Sequence, residues 1–376
     1  MHSWVEINKS NLLDNLKAFE SLAGSSKVMP VIKSNAYGHG LSEVAELLKP
    51  SLKKDSWVGV NSLFEAKTLR SLGIDCEILV LGPTFKEDLV QHENLNVKFV
   101  LGHHDLLDAW LKMDSPPVCH LKIDTGMSRQ GFNLEELELA GKKIKDSAHG
   151  FSKVEALATH FSNVEDVLEH DYANSQLEEF KKGHEILKSF GFSGFTHAAS
   201  SASTLLLPES RFDAVRVGIS LYGFWPSKAT RLSYLKGHEK LCSLKRVLSW
   251  KTKIAQVKNV KKGRFIGYGC TYRAPSDIVI AVIPVGYYEG YPRLASDRQS
   301  YVLIDGNRCN VVGRICMNMM MIDVSHLSAP KAGMEVTLIG KDGTEELDAE
   351  TVGEWADTIH YELVTRINSE LERRVV

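Results

Sequence analysis

Between Val28 and about Gly218 the chain alternates eight short β-branched runs with amphipathic helical stretches, and nothing else in the sequence constrains the fold as much. The runs are 28–32 (VMPVI), 57–60 (WVGV), 77–81 (EILVL), 97–101 (VKFVL), 118–124 (VCHLKID), 154–160 (VEALATH), 196–199 (THAA) and 214–218 (AVRVG). Strands that alternate with helices pair in parallel through crossovers. Eight such units predict an α/β fold with a (β/α)8 TIM-type barrel, whose usual size of about 250 residues matches the chain up to about residue 230. A doubly wound sheet is the rival. Ser62 and Glu65 read as an S-x-x-E capping box that opens a helix ending at Gly73.

After about residue 240 strands follow one another without helices, at 247–260, 278–288, 301–306, 308–315, 319–324 and 334–340, and a helical stretch returns only at 349–357. Asp305-Gly306 is a tight hairpin signal between two of these runs. The reading is therefore a barrel over 1–235 and a mainly-β domain over 236–376. Trp4–Ile7 reads as a lone strand from the β-domain side, and Leu12, Leu13, Leu16, Phe19 and Leu22 recur at helical spacing, a helix that plugs onto the barrel.

A length of 376 residues suits two domains, and 45 Lys+Arg against 47 Asp+Glu give a formal charge of −2. Disordered and fibrous classes are excluded, and nucleic acid is not an expected partner because no basic field is present. Six scattered cysteines (Cys76, Cys119, Cys242, Cys270, Cys309, Cys316) show no metal spacing and read as mostly buried thiols. The longest apolar run, 278–285, is far below the roughly 20 residues that span a bilayer, and the start of the chain does not read as a signal peptide. A cytoplasmic protein without membrane attachment is expected.

Active sites of such barrels form where the strands end. After the first run stands Lys33, where desolvation would lower its pKa and suit it to Schiff-base chemistry; a solvent-facing loop lysine is the competing reading. After the fifth, alternation puts Lys122 and Asp124 on one face, read by themselves as a structural ion pair, with Arg129 in the following loop. His160 and His197 end successive strands. Arg216 lies in the eighth run, and Gly218 bares backbone N–H groups where barrel phosphate sites form. A mouth lysine with a phosphate cradle at strands seven and eight is the layout of a pyridoxal 5'-phosphate (PLP) site.

Nine motifs carry a resemblance: VIKSNAYGHG (31–40), HLKIDTGMSRQGF (120–132), ATHFS (158–162), HAASSAS (197–203), RVGISLYG (216–223), GYGCTY (267–272), IPVGYYEGY (283–291), VVGRICMN (311–318) and HYELVTRI (360–367). In this order they make the chain similar, over nearly its whole length, to the alanine racemases, PLP-dependent isomerases with a barrel and a C-terminal β domain. The resemblance implies that Lys33 and Tyr268 are two catalytic bases on opposite faces of the cofactor. It implies a chain from Tyr268 through His160 to Arg216, with Arg216 facing the pyridine nitrogen and His197 behind it. Phosphate contacts fall to Tyr37, Ser201, Gly218, Ile219 and Tyr361, substrate carboxylate contacts to Arg129 and the Met317 backbone, and a narrow entrance to Tyr287, Arg314 and Tyr361. Lys122 matches a lysine that some members carbamylate. No metal is implied. A small-molecule amino acid is the substrate, the partner is a second copy in a homodimer with shared sites, and the product D-alanine serves peptidoglycan.

Two positions depart from the family pattern. Ser200 stands where many members have Asn, and Asn318 where many have Asp. The second leaves a broad-specificity serine or lysine racemase of the same fold as the alternative. A barrel PLP decarboxylase is disfavoured by Arg216 and Tyr268, and a PLP-binding protein without turnover by the β domain.

Overall fold

A computed structural model describes residues 2–92, 95–164, 171–237, 243–296 and 298–376. The chain divides into two compact units, one of Asn11–Ser34 and Val44–Lys245, the other of Met1–Ser10, Asn35–Glu43 and Arg246–Val376.

Strand β1 (Ser3–Ile7) belongs to the second unit. The first unit is the barrel. Its strands are β2 (Lys27–Pro30), β3 (Trp57–Val60), β4 (Glu77–Val80), β5 (Val97–Leu101), β6 (Cys119–Lys122), β7 (Val154–Ala158), β8 (Phe195–His197) and β9 (Ala214–Val217). All pair in parallel, in the order β2-β9-β8-β7-β6-β5-β4-β3. A bridge between Val31 and Gly59 joins β2 to β3, with the Ile32 N–H donating to the Gly59 carbonyl at 2.9 Å. This bridge brings the last two edges together and decides for the barrel over the open sheet. The eight expected runs are the eight strands, most of them ending one or two residues early, because beyond those points the chain bends into the loops that carry the polar residues.

The helix Lys9–Ala23 buries Leu12, Leu16 and Phe19, as its spacing predicts. It is tied to the barrel by Asn15, which is fully buried. The Asn15 amide donates to the carbonyls of Leu221 at 3.0 Å and Lys245 at 2.8 Å, and its oxygen accepts the Lys245 N–H at 2.9 Å. Inside the barrel Met29, Trp57, Leu79 and Val100 pack together.

In the second unit β10 (Leu248–Lys253), β11 (Gln256–Val260), β12 (Phe265–Ile266), β13 (Tyr272–Arg273), β14 (Ile278–Ile283), β15 (Tyr301–Ile304), β16 (Asn307–Asn310), β17 (Met320–Asp323), β18 (Glu335–Asp342), β19 (Glu345–Leu347) and β20 (Glu372–Val375) follow in order. The strand read as lone is not: β1 pairs antiparallel with β10 and parallel with β20. The single run expected over 247–260 is two strands in different sheets, β10 beside β18 and β11 beside β14. The run at 308–315 ends as a strand at Asn310, and a further helix, His360–Thr365, follows the expected one.

The Asp305-Gly306 hairpin forms, pairing Ile304 with Asn307 across a two-residue loop. Both loop residues have positive φ, 51° and 71°, as a type I′ turn requires. Cys76, Cys119 and Cys309 are buried, Cys316 is half-buried and Cys270 is exposed; Cys242 lies outside the described residues. No helix among the described residues is long and apolar enough to cross a membrane.

Because a Cβ on Gly306 would meet nothing closer than the Asp342 carbonyl at 3.8 Å, an ordinary van der Waals contact, the effect of Gly306→Ala is backbone strain alone. A loss of about 1 kcal/mol is expected, read as a lower denaturant midpoint at unchanged slope.

Candidate active site

The residues singled out from the sequence fall into two groups, one on each unit. Lys33, Lys122, Arg129, His160, His197, Ser201, Arg216, Gly218 and Ile219 belong to the barrel. Tyr37, Tyr268, Tyr287, Arg314, Met317 and Tyr361 belong to the β-rich unit.

In the barrel, Lys33 leaves β2 at the strand's C-terminal end. Burial, reinforced by the nearby Arg129 cation, holds its ammonium below the usual lysine range, while Glu65 opposes the shift. Lys33–Tyr37 is a single helical turn, and φ angles of 55°, 54°, 52° and 53° at Ser34, Asn35, Ala36 and Tyr37 make it left-handed. Non-glycine residues resist this conformation at about 1–2 kcal/mol each, so other contacts must hold it. The Glu65 carboxylate supplies one, accepting the N–H groups of both Ser34 and Asn61 at 2.6 Å. Ser62 caps the helix Leu63–Ser71 as expected, accepting the Glu65 N–H at 3.4 Å. Only the Ser62 half of the expected capping box is made, since the Glu65 carboxylate accepts from Asn61 rather than Ser62 and, through Ser34, moors the segment that follows Lys33.

Arg216, only 7% exposed, is the most heavily bonded side chain in the barrel mouth. Nη1 donates to His197 Nδ1 at 2.7 Å and to the His197 carbonyl at 3.0 Å. Nη2 donates to the carbonyls of Thr159 at 2.7 Å and Ala198 at 2.8 Å, and to His160 Nδ1 at 3.2 Å. The Nε–H has no acceptor among the described residues. Burial and Arg129 lower the Arg216 pKa to about 10, which leaves it charged at neutral pH. Since His160 Nδ1 accepts from a guanidinium, which can only donate, the ring's proton sits on Nε2 when the ring is neutral. Burial first, then Arg216, holds both His160 and His197 well below the usual histidine range, so both are neutral.

The pairing expected between Lys122 and Asp124 does not form. Asp124 accepts three backbone N–H groups at 3.0 Å, from Gly126, Ser128 and Arg129, and so shapes the loop that presents the exposed Arg129. Gly131, at φ 134°, lets that loop close against Ile123 and Asp124, where a Cβ would come within 2.5 Å of the Asp124 nitrogen. Lys122 donates to Gln130 at 3.3 Å, and burial followed by Arg216 and Arg129 lowers its pKa to about 8. Ser201 Oγ accepts the Gly218 N–H at 3.0 Å, and Ser200 N-caps the helix Ser201–Leu206. Ile219, fully packed, opens the turn Ile219–Tyr222. A cavity of about 610 Å3 is lined by Lys33, Arg129, Asn61, Thr84, Phe85 and His103.

The β-rich unit holds its residues on loops. Tyr268 is 69% exposed, on the turn between β12 and β13, where Gly267 and Gly269 have positive φ and lie against Arg314. Met317 is exposed and its carbonyl accepts from Tyr288; the neighbouring Cys316 carbonyl accepts from Tyr287. Asn318 donates to Glu289 at 2.7 Å, and the other Glu289 oxygen accepts the Gly286 N–H, so a carboxamide rather than a second carboxylate suits this position. The rings of Tyr37 and Tyr361 are 6.5 Å apart, and burial raises the Tyr37 phenol to about 12.

The sequence reading missed Glu65 as a mooring and missed a half-buried ionic cluster at the N-terminal ends of the barrel strands. There Lys98 lies 3.1 Å from Glu77 and 2.7 Å from Glu155, and 4.3 Å above the Trp57 ring. The signal was present: Glu77, Lys98 and Glu155 each stand first or second in a strand otherwise made of apolar residues.

The sequence model of the alanine racemase N-terminal domain matches residues 7–226 and that of the C-terminal domain residues 247–375. The chain belongs to the alanine racemase family. It is 38% identical to the alanine racemase of Leptospira interrogans, over all of this chain and 96% of that one. It is 36% identical to that of Carboxydothermus hydrogenoformans over 98% of each. Among solved structures, that of alanine racemase from Bacillus anthracis with bound L-Ala-P superposes with a TM-score of 0.90 at 32% identity, covering all of this chain and 95% of that one. Membership makes the chain an isomerase of the racemase type.

Lys122 carries a testable burden. Below pH 8 the unmodified side chain is buried as a cation, and this costs the folded state about 3 kcal/mol. As pH rises from about 8 towards 10.5 the folded form sheds this proton first and the cost disappears. Relative to Lys122→Met, the wild-type chain should therefore gain stability across that window, measured by guanidinium chloride unfolding at both ends.

Proposed function

We propose that this chain racemises L- and D-alanine with PLP held in the barrel mouth, supplying D-alanine for peptidoglycan in the cytoplasm. The observation that carries the reading is the Arg216 guanidinium. Among the described residues it has protein acceptors at Nη1 and Nη2 and none at Nε, beside a lysine that burial has made easier to deprotonate. A single leftover, permanently charged donor fits the ring nitrogen of PLP and would keep it unprotonated.

Lys33 would bind the cofactor aldehyde, and Ser201, Gly218 and Ile219, with Tyr37 and Tyr361, would hold the phosphate. When bound, PLP supplies an electron sink joined to the substrate α-carbon. An arginine in place of a carboxylate partner weakens that sink, which favours prompt return of the proton over side reactions. Arg129 and the Met317 backbone would bind the substrate carboxylate.

The rest follows from two bases. Lys33 Nζ exchanges a proton on one face of the α-carbon and Tyr268 Oη on the other, so each turnover inverts the centre. A free phenol, with a pKa of about 10, needs help to act as a base near neutral pH. His160 can give it, because its Nδ1 is taken by Arg216 and its neutral ring offers an Nε2–H donor to a phenolate. Tyr268 and Met317 would come from the partner subunit of a homodimer, each subunit completing the other's site. Tyr287, Arg314 and Tyr361 would line a narrow entrance that favours a small side chain. Lys122, whose lowered pKa makes neutral amine available, would take up carbon dioxide as a carbamate and so place an anion near Arg129.

The test is α-proton exchange in D2O with a panel of L-amino acids, followed by NMR and chiral chromatography. Exchange with inversion of alanine is expected, and its absence sinks the reading. Tyr268→Phe should lower racemisation by roughly 10²- to 10⁴-fold, the usual contribution of a general acid or base, while exchange without inversion at the face served by Lys33 persists. Near-normal racemisation by that variant would remove the two-base scheme.

A further inference from the structure

Behind Arg216 the hydrogen bonds continue through the inside of the barrel. His197, whose Nδ1 accepts from Arg216, has its Nε2 2.9 Å from His120 Nδ1. His120 Nε2 lies 3.2 Å from Glu155 Oε2. Glu155 is held in turn by Lys98, at 2.7 and 2.8 Å, and Lys98 is shared with Glu77. The path runs from β9 to β8, β6, β7, β5 and β4, from the mouth of the barrel to the opposite end of its strands.

The direction of every bond in this path is fixed by chemistry at its two ends. A guanidinium can only donate, so His197 Nδ1 accepts and the proton of the neutral ring sits on Nε2. That N–H must donate to His120 Nδ1, which puts the His120 proton on Nε2. A carboxylate can only accept, and Glu155 stands where this last N–H needs an acceptor. Both imidazoles are buried, with His120 and His197 at 0% and 1% exposure, and His120 is packed between the Trp57 and Phe195 rings at centroid distances of 5.0 and 5.3 Å. Burial keeps both rings neutral. Burial alone would raise the Glu155 pKa, but the bonds from His120 and Lys98 outweigh it and keep the group ionised.

Stability is weak grounds for this arrangement, because replacing inward-facing ion pairs by well-packed apolar side chains is often neutral or stabilising. We propose that Glu155 is a positioning residue for Arg216. Acting through His120 and His197, it accepts the last N–H of the one tautomer sequence that Arg216 permits and so holds the guanidinium with its Nε–H left over for the cofactor. The catalytic half of this statement rests on the reading of Arg216 under Proposed function; the tautomer half does not. Lys98 is the counter-charge of Glu155, and it is shared with Glu77.

The experiment is a two-bond proton–nitrogen correlation spectrum of the PLP-loaded enzyme labelled with 15N-histidine, with His120 and His197 assigned by substitution, alongside kcat and KM for alanine. The wild-type protein should show unprotonated Nδ1 and protonated Nε2 on both rings. Glu155→Gln replaces the charged acceptor by a neutral amide, so it should shift the His120 Nε2 signal and lower kcat roughly tenfold, as loss of an orienting partner does, with KM within about twofold. Lys98→Met keeps the carboxylate oxygen beside His120 Nε2 but withdraws its counter-charge, so both tautomers should stay and only the His120 Nε2 shift should move. Should Glu155→Gln not fold, Glu155→Asp keeps the charge but withdraws the oxygen, and a displaced His120 Nε2 signal with lower kcat is expected.

A protonated His197 Nδ1 in the wild type overturns the proposal, and so do unchanged ring signals and kcat in the Glu155 variant. The expected tautomers in a protein without racemase activity would defeat the proposed function and leave the positioning role of Glu155 standing. An active racemase with inverted tautomers would do the opposite.

Discussion

A charge that cannot be neutralised in place governs the barrel. Arginine keeps its proton at any pH a cell meets, so burying Arg216 obliges the surrounding strands to supply acceptors for it. They do so with three carbonyls and two imidazole nitrogens drawn from the ends of β7 and β8 and the residues just beyond them. Those obligations reach further than the mouth. The imidazoles must be neutral and of one tautomer, their far nitrogens need partners, and the last partner is a carboxylate with its own counter-ion. A single buried guanidinium thus sets the polarity of side chains on most of the barrel's strands, and Lys33 sits at the edge of the same field with a depressed pKa.

Much of this was legible in the sequence, for a physical reason. Alternation of strand and helix is a local, repeated signal, and eight copies leave few topologies. The Asp305-Gly306 turn was legible because two successive positive φ angles demand those residue types. The mouth residues were legible by position, since a polar side chain straight after an apolar strand has few places to go. What was not legible depended on partners distant in the chain. Lys122 and Asp124 share a strand face, yet Asp124 is consumed by the backbone of its own loop, and no pattern of alternation reports a competing N–H. The pairing of β1 with β10 and β20 joins segments about 250 and 370 residues apart, and the break of 247–260 into two strands is decided by which sheet each half enters. Motif order supplied the catalytic assignments, because chemistry on loops of the β-rich unit carries no periodicity at all.

The two units hold their functional residues by different means. In the barrel, strand ends and buried hydrogen bonds fix each side chain from behind, and Arg216, His197 and Lys122 are all nearly inaccessible. In the β-rich unit Tyr268 and Met317 are exposed on turns stiffened by glycines, by backbone bonds between neighbouring loops and by the Asn318–Glu289 pair. Rigid charged groups are thus built into a core, while Tyr268 and Met317 are displayed on short, braced loops.

The left-handed turn after Lys33 inverts a familiar rule of protein engineering. Glycine inside a helix is ordinarily a weakness, to be replaced by alanine in any search for thermal tolerance. At Ser34, Asn35, Ala36 and Tyr37 the opposite holds, because each side chain there opposes its own backbone angle and glycine would remove the opposition. A selection for heat resistance alone would drift towards glycine in this stretch and would gain slack beside the lysine in doing so. Sturdiness and precision pull in opposite directions along these four residues, and the present sequence has settled on precision.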